Sequence, residues 1–308
     1  MKKQDFSFCG KDGHELYGTK YPAINPKGAV QIIHGMAEHR KRYENFAFKL
    51  AKNGFSIYVY DQRGHGETAR NHDLPLGHLE RGHGWGELLE DARRLTGFIK
   101  SEVRGVPLFL FGHSMGSFLA RNYIVKKGEK IEGVVISGSG LLNGLLLYPL
   151  HLISKLEKLI KGVRGKSFLL EKILFSSNNR RFEPARTPHD WLSRDNEAVE
   201  RYIEDELAGF SCTTGFYDEL LAGMKKVQRG EAAKDFPRNL KLLFVSGGKD
   251  PVGGAGDVKS LASNFREQGA TSVEVKIYEE ARHELLHEKN KEKVTSDIIS
   301  WLKNNCRR

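Results

Sequence analysis

Pro107-Leu-Phe-Leu-Phe-Gly112-His113-Ser114-Met115-Gly116-Ser-Phe-Leu-Ala120 is the stretch that decides the fold. Leu108 to Phe111 read as a buried strand, Gly112 and Gly116 bracket a serine in a tight turn, and Phe118 to Val125 continue as a helix. A strand, a Gly-x-Ser-x-Gly turn and a helix in unbroken order make the setting in which such a turn acts as a nucleophile elbow. Glycine is needed on both sides of the serine because a β-carbon there would strike the strand or the helix. The turn lifts the Ser114 hydroxyl out at the carboxyl edge of a sheet. The helix that starts there aims its free amides and positive dipole end at the same spot.

Working outward, Ala29 to Ile33, Ser56 to Tyr60 and Val134 to Ser137 are compact apolar runs of the kind that form buried parallel strands. Between the first two, Tyr43, Phe46, Ala47, Leu50 and Ala51 recur at helical spacing before an Asn53-Gly54 stop. This alternation implies an α/β protein with a right-handed, doubly wound, mostly parallel sheet. After Gly140 the pattern becomes helical and charged until Leu242 to Val245 resumes it; Val273 to Tyr278 ends the sheet, and Val294 to Leu302 reads as a closing helix. The chain thus divides into a core, residues 1–140 and 240–308, and an inserted helical cap, residues 141–239. Within the cap, Leu152, Leu156, Leu159 and Val163 repeat at one-turn spacings, with Lys155, Lys158 and Lys161 on other faces. Two readings of that amphipathic helix stay open: its stripe packs onto the core, or with Leu145 to Leu147 it rims an acyl entrance that touches membrane.

The composition, 39% hydrophobic and 29% charged over 308 residues, suits a globular protein with a large core. A net charge of +10 would suit nucleic acid or an anionic membrane surface. The first is set aside because no zinc-finger spacing, RNA-recognition signature or arginine-rich arm is present. Plain solvation of the surface remains the alternative to peripheral membrane contact. Cys9, Cys212 and Cys306 are too few and too scattered for a disulfide framework or a metal cluster, which suggests a reducing compartment. Two lysines near the N-terminus are followed by no apolar run, so no signal peptide is read there. Leu141 to Ile153, broken by Asn143, Gly144, Pro149 and His151, falls short of the ~20 residues of a membrane span. The expected location is the cytoplasm, with contact to membrane at most peripheral.

A serine hydroxyl needs a base to become a nucleophile, and the base needs a carboxylate to fix its tautomer. On this fold the chain order is serine, acid, histidine. Asp250 follows the strand ending at Val245, and His283 follows the strand ending at Tyr278, which places both on loops at the sheet edge that carries Ser114. His287, one helical turn later and followed by Glu288, competes as base but reads as a packing or solvated residue. The oxyanion of an acyl-transfer intermediate needs two backbone donors. Met115, directly after the serine, supplies one, and Met36, in the His34-Gly35-Met36 loop after the first strand of the alternation, supplies the other.

With those residues placed, the chain resembles the monoglyceride lipase and lysophospholipase group of α/β-hydrolases. Four signatures carry the resemblance: His34-Gly-Met-Ala-Glu-His39, Tyr60-Asp-Gln-Arg-Gly-His-Gly66, Gly112-His-Ser-Met-Gly116, and Asp250 followed by Arg282-His283-Glu284. The resemblance implies a helical cap over the serine, no metal or organic cofactor, and hydrolysis of a single-chain acyl ester, a monoacylglycerol or lysophospholipid. It also implies that the loop of Asp61, Arg63 and His65 braces the site from below without taking part in the chemistry. Phe182 to Asp195 and Asp205 to Phe210 are similar to bacterial lysophospholipases, though Glu206 and Ala208 replace a proline and a cysteine of that group. A thioesterase, amidase or small-ester carboxylesterase would use the same three residues, and a non-catalytic lipid-binding module would leave them unused.

Overall fold

The computed structural model describes residues 2–79, 84–125, 131–141, 144–232 and 237–306. Its strands are β1 (Gln4–Cys9), β2 (Glu15–Tyr21), β3 (Gly28–Ile33), β4 (Phe55–Tyr60), β5 (Leu108–His113), β6 (Gly133–Ser137), β7 (Lys241–Gly247) and β8 (Ser272–Tyr278). They form one sheet in the order β1-β2-β4-β3-β5-β6-β7-β8. From β4 to β8 every pairing is parallel, and β2 runs antiparallel to both β1 and β4. Residues of β3, β4, β5 and β6 are all buried, which is why these strands read as unbroken apolar runs. The β1–β2 hairpin lies outside the expected strands. Chain order reverses between β3 and β5, whose ends are in register at Ile33 and Gly112, so the loops after both strands open at one switch point of the sheet.

Helices α1 (Glu44–Lys52), α2 (Gly66–Asn71), α3 (Gly84–Glu102) and α4 (Met115–Val125) alternate with the first strands. Between β6 and β7 the chain inserts α5 (Gly144–Lys161), α6 (Phe168–Phe175), α7 (Asn196–Ile203) and α8 (Thr214–Ala232). Helices α9 (Ala255–Glu267) and α10 (Lys291–Asn305) then complete the alternation. The insertion is not a separate globule: Phe216, Tyr217 and Leu220 of α8 share one apolar cluster with Trp85 and Leu88 of α3 and Leu119 and Tyr123 of α4.

Helix α5 packs Leu147, Leu150 and Ile153 inward but leaves much of its apolar surface in solvent and buries polar residues beside them. Leu145 is 86% exposed and Leu159 and Ile160 are each 82% exposed, while Ser154 and His151 are buried. The inner face is held by charge: His151 Nε2 lies 3.0 Å from an Asp218 carboxylate oxygen on α8, Ser154 Oγ donates to the same oxygen at 3.3 Å, and Lys158 pairs with the other. The Leu152, Leu156 and Leu159 stripe therefore does not pack onto the core. Two members of the expected apolar face depart from it: Leu147 is buried, and Val163 lies beyond the end of α5, its carbonyl accepting the Gly215 amide at 3.1 Å.

Candidate active site

Ser114 sits between β5 and α4 with φ at 50°, in the left-handed region that costs a non-glycine residue about 1–2 kcal/mol. The turn is held by the Ser114 amide donating to Ser137 O at 3.0 Å and by the Ser117 hydroxyl donating to Ser114 O at 2.6 Å. A β-carbon on Gly112 would lie 2.4 Å from Gly116 O. One on Gly116 would lie 2.1 Å from Ile33 O. The second glycine thus admits the start of α4 against the β3 loop, a closer approach than to its own strand.

His283 follows β8 and Asp250 follows β7, and the structure brings them together: the imidazole Nδ1 lies 2.9 and 3.0 Å from the two carboxylate oxygens. Asp250 also accepts the Val252 amide at 2.8 Å. Burial pulls the His283 pKa down, but the charge and hydrogen bond of Asp250 outweigh it and the net shift is upward from 6.5. Burial works in turn against ionisation of Asp250, and the facing His283 wins, leaving its carboxyl below the usual range. His287 lies in the short turn Leu285–His287, away from the cavity; burial and then the Arg42 charge hold its pKa well below 6.5.

Ser114 and His283 both line a cavity of about 380 Å³. Phe118, Phe168, Phe175, Trp191 and Phe210 are among the residues that line it. Met36 and Met115 line it as well. Met115 is the first residue of α4, where amides have no helical carbonyl to bond. The amides flanking Met36 are both committed within their own wall: Gly35 N–H donates to the Glu38 carboxylate and Ala37 N–H to His65 Nε2 at 3.3 Å.

Asp61, Arg63 and His65 stand behind this wall and do not reach the cavity. Asp61 accepts the Arg40 amide at 2.8 Å and pairs with its guanidinium, and Arg63 is held between Asp91 and Asp12 at 2.6 Å each. Burial keeps His65 neutral, with its pKa pushed down to about 3, and lowers that of His34 as well. A neutral His65 can accept the Ala37 amide; a protonated one could not.

Four residues that the sequence alone does not single out surround the site: Glu38, Arg42, Glu284 and Trp191. Glu38 accepts from Tyr43 O–H at 2.8 Å, and Arg42 bridges Glu38 and Glu284 at 3.3 and 2.6 Å. Trp191 lies against His283 with ring centroids 5.1 Å apart. Glu38 and Glu284 fall inside the quoted signatures and Trp191 inside the Phe182 to Asp195 stretch, but only folding shows what they touch.

The family model described as serine aminopeptidase, S33 (Hydrolase_4) matches residues 24–290 of the chain. The chain belongs to that family. This S33 chain is 26% identical to a monoacylglycerol lipase of Mycolicibacterium smegmatis, over 97% of each sequence, and 25% identical to the monoglyceride lipase of Mus musculus, over 94% of this chain and 88% of that one. Among solved structures it is similar to a thermostable carboxyl esterase of Bacillus coagulans in complex with glycerol, at TM-score 0.90 and 26% identity, with complete coverage of both chains. A soluble variant of the Saccharomyces cerevisiae monoglyceride lipase bound to a substrate analogue superposes at TM-score 0.74 and 21% identity, over 99% of this chain and 96% of that one, which bears on the fold alone. The fold is that of the α/β-hydrolases.

Proposed function

We propose that the protein is a serine carboxylic ester hydrolase acting on single-chain acyl esters, monoacylglycerols or lysophospholipids, through an acyl-enzyme. The observation that carries this reading is the strained Ser114 facing the cavity beside an imidazole whose Nδ1 is held by Asp250. With Nδ1–H donated to Asp250, Nε2 is left as the acceptor that takes the Ser114 proton while Oγ bonds to the ester carbonyl carbon. The carbonyl electron pair moves onto oxygen, where the Met36 and Met115 amides receive it. Collapse expels the alcohol, which takes the proton from His283; water then repeats the sequence and releases the fatty acid. Residues 141–239 act as the cap that walls the acyl site. The relatives named for monoacylglycerol hydrolysis support this choice of substrate.

The exposed leucines of α5 favour peripheral contact of this cap with an anionic bilayer. Phe168, Leu169 and Ile173 of α6 are exposed as well, and Phe168 also lines the cavity. Exposed Lys155 and Lys172 lie on the same two helices of a chain of net charge +10. Among the described residues no helix is long and apolar enough to cross a membrane.

A fluorophosphonate probe tests the chemistry. Wild-type protein is expected to label and Ser114→Ala to remain unlabelled. Turnover on parallel panels of monoacylglycerols, lysolipids, p-nitrophenyl esters, thioesters and aminoacyl amides then ranks the substrates. An unlabelled wild type would remove the nucleophile, and a clear preference for amides would replace the ester reading.

A further inference from the structure

Two successive amides of the histidine loop are bonded to the insertion rather than to the core. His283 N–H donates to Trp191 O at 3.4 Å and Glu284 N–H to Leu192 O at 2.8 Å. The fastening continues on both sides. The Arg282 guanidinium donates to Asp190 O and Ser193 O and lies 4.1 Å over the Phe182 ring. Ser193 Oγ donates to His287 O at 2.9 Å, and Arg194 Nε donates to the fully buried Glu288 at 2.9 Å. Glu288 also accepts the Arg194 and Arg282 amides, at 3.1 and 2.9 Å, so one carboxylate ties the two segments together.

At the centre of this seam the Trp191 ring covers one side of the His283 imidazole at 5.1 Å, and the His113 ring lies 4.8 Å from it. Trp191 is itself fixed, its N–H donating to Asn179 Oδ1 at 2.8 Å and its ring stacked on Phe175 at 6.3 Å. Asp250 holds the imidazole only at Nδ1, about which a ring can still tilt; flanking rings restrict that tilt and shield the imidazole from water.

We propose that Trp191 is a positioning residue for the imidazole of His283, so that the insertion segment Asp190 to Arg194 belongs to the device that orients the base as well as to the wall of the acyl site. This rests on the reading of His283 as the base. A ring that merely walled the cavity would affect how tightly an acyl chain binds, and so KM. A ring that orients and desolvates the imidazole affects the chemical step and the pH at which the base loses its proton. Burial disfavours the imidazolium. At His283, however, the attraction of Asp250, Glu284 and Glu38 outweighs burial, so opening the Trp191 side to water weakens both and moves its pKa back toward 6.5 and the acid limb of kcat/KM to lower pH.

The test uses the full chain and a short soluble p-nitrophenyl ester that does not fill the acyl site. Trp191→Ala is expected to lower kcat by about 10- to 100-fold, the range of a misoriented general base, and to move the acid limb downward. Trp191→Phe, which keeps a flat ring, restores kcat to within a few-fold and returns the limb. Asn179→Ala, which frees the Trp191 amide without removing the ring, gives a smaller change of the same sign. Should Trp191→Ala raise KM alone, or lower kcat with the limb unmoved in protein that is folded by circular dichroism, the ring is only a wall and the proposal fails. Loss of activity in His283→Ala is the separate control: its retention would overturn the base assignment itself, whatever Trp191 does.

Discussion

At the scale of single residues, the two histidines in Arg282-His283-Glu284-Leu-Leu-His287 can be told apart by the direction in which their surroundings move them. In the proposed assignment His283 must be neutral to accept the Ser114 proton, so kcat/KM is expected to rise with pH through its ionisation. Its pKa is shifted upward from 6.5 once Asp250 has overcome burial, whereas that of His287 lies well below 6.5. The acid limb is therefore expected above pH 6.5. His287→Gln should leave it in place, and His283→Gln should lower turnover by at least ~10³-fold, the scale of losing a triad member. Measuring kcat/KM from pH 5 to 9 for the three proteins decides it. A limb below pH 6, or one that disappears with His287, would transfer the role of base to the second histidine.

At the scale of elements, legibility follows the kind of surface each element faces. β3, β4, β5 and β6 are buried on both sides, and a run such as Leu108-Phe-Leu-Phe111 states that in its own composition. β1 has no such run: its residues alternate between exposed and half-buried, and it forms because Phe6 and Phe8 reach the rings of Tyr58 and Tyr60 on β4. Helix α5 was legible as amphipathic but not as to which face turns inward, because that is set by Asp218 some sixty positions away on α8. Ser114, Asp250 and His283, the proposed triad, could be assigned to one sheet edge from chain order because each follows a strand, β5, β7 and β8 in turn. Trp191 could not, since its partner lies across the insertion. The solvent-exposed leucines of α5 also make a measurable expectation. An exposed apolar face beside lysines should bind anionic vesicles at low salt, each lysine near the surface adding about 1 kcal/mol. Leu145→Ser with Leu146→Ser, both at exposed positions, should weaken flotation with phosphatidylserine vesicles without lowering the melting temperature. Absence of flotation at low salt would leave the patch without a lipid role.

At the scale of the whole molecule, the polar residues behind the site set its response to acid. Burial holds His34, His65, His113 and His287 neutral in the folded chain, with His65 pushed down to about 3 and His113 to about 4. Each lowered group contributes stability that is complete above its unfolded pKa of about 6.5 and is lost as pH falls toward the folded value. Asp91 has the opposite sign: burial raises it to about 6 against an unfolded 3.8, so it favours the folded chain at low pH and that contribution is gone above pH 6. Glu284, also raised by burial, acts in the same direction. The lowered histidines, joined by His151 and His189, outnumber the two raised carboxyls, so unfolding takes up protons between pH 6 and 4 and stability falls with pH across that range. Urea midpoints are therefore expected to fall steeply from pH 6.5 to 4 and to change little from 7 to 8. His65→Asn, which removes one of these histidines, should be less stable at pH 7.5 because the Ala37 amide loses its acceptor, yet show a shallower fall in acid. Midpoints that stay level between pH 6.5 and 4, or a variant that falls as steeply as the wild type, would mean that these histidines are not held neutral in the fold.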